Sequence, residues 1–213
     1  MFKKKSPFLI LLSVFSFGVL AETPTATLIV SGSIAPPTCT VNGQESEDEI
    51  EYVFNVSPGV FPASGNLTLD PIVKNITVAC DSSTFMAFNV TDNRTGTELT
   101  TGSTYFGLGS WGADNKKVGS YRVLMSNAKY ISEPGANPVA AGVRYGGNVA
   151  ASTYLDKTLK TAWTKSSGTA TLAPGQIFTA DLAVYPVING DLKNGTGDEE
   201  LDGNAVLAFS FGL

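Results

Sequence analysis

Two cysteines, no histidine and a scatter of carboxylates bound the chemistry open to this chain. Without an imidazole there is no histidine ligand for a zinc site, no histidine general base and no Ser-His-Asp arrangement. A Gly-x-Ser-x-Gly nucleophile turn is missing as well. Cys39 and Cys80 are expected to pair as a disulfide in an oxidising compartment. Closing the loop between them is worth about 4 kcal/mol in the chain-entropy argument. A free-thiol or metal role for the two is the weaker reading.

Other groupings offer less. The stretch 189–203 concentrates Asp191, Asp198, Glu199, Glu200 and Asp202. Calcium takes such oxygen ligands, but the alternating acids, central glycine and distal glutamate of an EF-hand are absent, so a solvated loop is expected. "FGLGSWG" (106–112) lacks the Lys-Ser/Thr that a phosphate cradle needs and reads as a turn. Carboxylate pairs converge in space rather than along the chain, and nothing here singles one out. Tyr105, Trp111, Tyr145 and Tyr154 lie in a loop-rich middle, with Tyr105 and Trp111 the candidates to stack on a ligand. No enzymatic activity, cofactor or metal is expected.

The elements that would position these groups are strands. First, 1–21 reads as a signal peptide: Lys3, Lys4 and Lys5, then an apolar run, then Val19-Leu20-Ala21 before a cleavage at Glu22. The run is shorter than the about 20 residues of a bilayer span, so no membrane span is expected after cleavage. The whole chain carries a net charge of −5, and losing those lysines makes it more acidic. That argues against nucleic acid and anionic membrane as partners. The remainder, 22–213, reads as one domain.

Period-two alternation marks strands over 26–36, 49–56, 75–80, 84–92, 119–131 and 176–188. It is clearest at the end of the chain, where Ala205, Leu207, Phe209, Phe211 and Leu213 share one face. A helix is hard to place; 151–163 reads as a long connection rich in serine and threonine. The expected fold is an all-β, immunoglobulin-like sandwich with one disulfide.

"LIVSGSIAPPTCTV" (28–41) resembles the opening of chaperone–usher pilin subunits, with Val30, Gly32, Ile34 and Cys39 at matching places. "ITVACDS" (76–82), "TADLAVYPVI" (179–188) and "AVLAFSFGL" (205–213) look like other strands of those subunits. "DNR" (92–94), "FGLG" (106–109), "DNKKVGSYRVLM" (114–125) and "ELDGNAV" (200–206) are similar, as an ordered set, to the GltF-like family of fimbrial-type periplasmic proteins.

The resemblance implies a pilin-type sandwich of a Gram-negative bacterium, exported to the periplasm and on to the cell surface or fimbrium. It implies a periplasmic pilus chaperone, an usher and neighbouring fimbrial subunits as partners. It also implies a structural role: Val206, Leu207, Phe209, Phe211 and Leu213 would form the edge that accepts a chaperone strand or a donor strand. The arm 22–27 is short and lacks bulky alternating side chains, so accepting a strand is expected and donating one is not. The competing expectation is a self-complete secreted sandwich that binds a glycan or surface ligand through loops in 102–163.

Overall fold

A computed structural model describes residues 25–32, 34–46, 48–195 and 199–212. The expected signal peptide lies outside them, as do Asp198 and Leu213. The chain divides into two units, 1–34 and 35–213.

In the first unit the described residues take no regular secondary structure, and Leu28, Ile29, Val30 and Ile34 are exposed. None of the described residues of the strand expected over 26–36 is in a strand. Pro36 and Pro37, at the start of the second unit, cannot donate to a ladder, and each restricts the residue before it. Pairing begins only past them, at Cys39.

The second unit is all-β. Its principal strands are β1 (Cys39–Val41), β2 (Ile72–Asp92), β3 (Gly119–Ile131), β4 (Gly142–Tyr145), β5 (Thr161–Ser166), β6 (Pro174–Ile188) and β7 (Ala205–Phe211). One sheet runs β1, the first half of β2, β6 and β3, all antiparallel. The other runs β4, β5, the second half of β2 and β7, again antiparallel. This arrangement is compatible with a β-sandwich.

β2 is the hinge of the architecture. Ile76, Val78 and Cys80 face the core from its first half, and Met86, Phe88 and Val90 from its second. Between them Asp81, Ser82 and Ser83 are exposed. There the ladder with β6 shifts register, resumes at Thr84 and Phe85, and from Met86 onward the strand pairs in the other sheet. Sequence reading placed separate strands at 75–80 and 84–92, with this polar stretch as a break. It is a change of sheet within a strand of 21 residues, far longer than the usual 5–6.

The core joins the sheets through rings. Trp163 on β5 lies 5.7 Å from Phe88 on β2 and 5.8 Å from Phe178 on β6. Its indole Nε1–H donates to the Thr179 carbonyl of β6 at 3.0 Å. The stretch 151–163 contains no helix; it carries the short strand Thr153–Tyr154 and the start of β5.

The segment 49–56 alternates as expected but takes no strand. Ile50, Tyr52 and Phe54 lay half-buried side chains against the core without a backbone ladder. The Tyr52 hydroxyl donates to the Leu182 carbonyl at 3.0 Å, and burial pushes the phenol from 10.0 up to about 12. The unfolded chain therefore ionises this group first as pH rises. Its contribution to stability is intact below pH 10 and lost as pH climbs through about 12. Urea midpoints measured across that window should fall, and fall less in Tyr52→Phe. Tyr121, also pushed up by burial, keeps its own share in that variant.

Candidate functional site

β7 pairs on one side only. Its residues Ala205–Phe211 register against Asp92–Met86 of β2, and among the described residues no strand pairs with its other edge. Residues directly opposite in an antiparallel pair share a face. Leu207, Phe209 and Phe211 oppose Val90, Phe88 and Met86, all three buried. The three β7 side chains therefore point to the core side, and the Phe209 ring lies 5.4 Å from that of Phe88.

Coverage fails along that face. Leu207 and Phe209 are only half-buried, and Phe211, although core-facing, is 41% exposed. Val206, on the opposite face, is exposed too. An unpaired row of backbone groups beside incompletely covered apolar side chains is a template for strand addition.

The start of β7 is firmly held. Arg94 donates from Nη2 to Asp202 Oδ1 at 2.6 Å and from Nε to Oδ2 at 2.7 Å. Asn93 N–H donates to the Asn204 carbonyl at 2.9 Å, and Asp202 N–H to the Leu108 carbonyl at 3.1 Å. Three motifs distant in sequence, 92–94, 106–109 and 200–206, thus meet at one end of the domain. Gly107 is fixed by space: a Cβ there would collide with the Arg94 carbonyl and Thr97 Oγ1.

Cys39 and Cys80 sit opposite one another on β1 and β2 and form a disulfide. The two aromatic candidates occupy different surroundings. Tyr105 packs beside Arg122, whose guanidinium carbon lies 5.2 Å from its ring and 3.3 Å from that of Tyr154. Trp111 is half-buried and lines a shallow cleft with Asn194, Glu199, Glu200 and Asp202, which Tyr105 does not share. Of the acidic stretch, Asp202 is engaged by Arg94. Among the described residues no three His, Cys, Asp or Glu side chains group to hold a metal ion.

Sequence reading missed a buried charged cluster. Asp92 and Glu98 are buried, and Lys157 Nζ reaches both, at 3.4 Å and 2.6 Å. Burial pushes the Glu98 carboxyl up, but hydrogen bonds from Lys157 and from backbone N–H groups outweigh it and hold the group below its usual range. Asp92 and Glu98 lie close together in sequence, but Lys157, which joins them, is 65 positions from Asp92.

No family model matches the chain, and no curated protein matches it. Among the described residues no helix is long and apolar enough to cross a membrane, and the disulfide fits an exported protein.

Proposed function

We propose that this protein is a structural, fimbrial-type subunit of the immunoglobulin-like pilin class, whose β7 edge accepts a strand from a periplasmic chaperone and then from a neighbouring subunit. The observation that carries this reading is the one-sided pairing of β7 together with the exposure of core-facing Phe211. An incoming extended segment would gain main-chain hydrogen bonds along Ala205–Phe211 and cover Leu207, Phe209 and Phe211 with alternate side chains. The likeness of the sequence motifs to pilin subunits and the GltF-like family supports the same reading. So does the disulfide, which belongs to an oxidising compartment such as the periplasm.

The test is periplasmic expression with and without a pilus chaperone of the same assembly system. With the chaperone, a soluble one-to-one complex is expected, lost when Leu207 and Phe209 are both changed to glutamate in a background whose folding is checked by circular dichroism. Without it, the protein should aggregate or be degraded. A stable, protease-resistant monomer obtained alone and indifferent to the chaperone would overturn the proposal.

A further inference from the structure

The cluster of Asp92, Glu98 and Lys157 has no part in strand acceptance, yet it brings together the parts of an acyl-transfer site. Lys157 Nζ, a nitrogen nucleophile once deprotonated, lies 3.4 Å from Asp92 Oδ2. Glu98 Oε1 accepts from that same Nζ at 2.6 Å, within reach for proton transfer. The Asp92 carboxyl is held from both sides: Arg94 N–H donates to Oδ1 at 2.9 Å and Gly107 N–H to Oδ2 at 3.1 Å. Each oxygen thus has one backbone donor, and the Arg94 N–H is placed to stabilise an oxyanion at Oδ1. The second Glu98 oxygen is fixed by Gly96 N–H at 2.7 Å.

The surroundings are dry. The Asp92 side chain is 0% exposed, that of Glu98 9% and that of Lys157 18%, and the Phe106 ring centroid lies 5.6 Å from Nζ. Holding amine and acyl carbon in place supplies the proximity that makes an otherwise slow condensation intramolecular.

We propose that Lys157 and Asp92 become joined by an intramolecular amide, formed by the folded chain itself with Glu98 as the proton carrier. Glu98 takes a proton from the Lys157 ammonium and passes it to an Asp92 oxygen, leaving a neutral amine beside a neutral acid. The Nζ lone pair attacks Asp92 Cγ and the C–N bond forms, with the oxyanion at Oδ1 facing the Arg94 N–H group and Oδ2 as the oxygen that will depart. Glu98 takes a second proton from Nζ and delivers it to the departing oxygen. The Cγ–O bond breaks and water leaves. Ammonium and carboxylate have become amide and water, Glu98 ends as it began, and nothing is oxidised or reduced. The bond ties the end of β2 to the connection that precedes β5, 65 positions along the chain.

Intact mass spectrometry of the exported full chain, disulfide formed, decides this. The expected mass is one water below that of the disulfide-bonded sequence, and a digest should contain a branched peptide joining Asp92 to Lys157. Lys157→Arg keeps the cation and should restore the full mass. Glu98→Gln should leave most of the chain unjoined. A folded wild-type protein of full mass, with no branched peptide in its digest, would reduce the cluster to an ion pair and overturn the proposal. Loss of water persisting in Lys157→Arg would do the same. Cross-linking of Glu98→Gln as complete as in the wild type would remove Glu98 from its assigned role. Should either variant fail to fold, the wild-type mass and digest still decide.

Discussion

Trp163→Ala is expected to lose about 3–5 kcal/mol of folding stability, read from urea unfolding of the exported, disulfide-bonded protein. Trp163 is fully buried and is the point where the two sheets touch through rings. From β5 it reaches Phe88 on β2 and Phe178 on β6. Removing the indole empties a volume that neighbours fixed in strands cannot refill. The cost is therefore lost transfer energy plus a cavity. The part-buried Thr179 carbonyl also loses its indole donor, and an acceptor left without that partner adds its own penalty. Trp163→Phe separates the two contributions: it keeps most of the apolar volume and removes only the donor. Its loss should be about 1–3 kcal/mol, with the denaturant slope unchanged in both variants. A loss below about 1 kcal/mol for Trp163→Ala, the range of surface changes, would mean that the sheets do not pack through this ring.

Alternation along a chain reports the faces of a segment, not its backbone partner. The pattern in 205–211 placed Leu207 and Phe209 on one face, and both do face the core. The same pattern in 26–36 and 49–56 led to strands that the described residues there do not take. Period two says that a segment is extended with two unlike faces; it does not supply a partner for the backbone. In 49–56 the apolar face packs while the backbone stays outside any ladder, and at the end of 26–36 Pro36 and the following Pro37 lack the donors a ladder needs. The polar residues 81–83 failed in the opposite sense, because a strand that changes sheet exposes its crossing point much as a turn would. The charged cluster was illegible for a different reason. Asp92, Glu98 and Lys157 are unremarkable singly, and only the closing of β2 against the connection before β5 buries them together. Gly107 reads as a loop glycine until Arg94 and Thr97 are seen to leave no room for a Cβ.

Replacing both Cys39 and Cys80 by serine should lower the stability by about 4 kcal/mol, the second large effect expected of this chain. The reason lies in what the disulfide encloses. β1 has only three residues and pairs with β2 through Cys39, Thr40 and Val41. Its other ties lie at its ends and on Thr40: Thr38 N–H to Asp81 Oδ1 at 3.1 Å, Asp81 N–H to the Thr38 carbonyl at 3.0 Å, Asn42 N–H to the Thr77 carbonyl at 2.8 Å, Thr77 N–H to Asn42 Oδ1 at 2.9 Å, and the Thr40 hydroxyl to the Ala79 carbonyl at 3.4 Å. Between the two cysteines run Ile50, Tyr52, Phe54, Phe61, Leu67 and Leu69, all packed against the core. For Ile50, Tyr52 and Phe54 no ladder holds the backbone in place, so their docking depends on keeping the enclosing loop short in the unfolded chain. Without the bond, that closure cost falls on the side chains alone. The expected result is a lower urea midpoint together with faster proteolysis within 42–61, and reduction of the wild type by dithiothreitol should reproduce both. An unchanged midpoint with cleavage confined to 35–46 would instead show that the bond secures only the short edge strand. In that case the side chains of 49–61 hold to the core by their own burial.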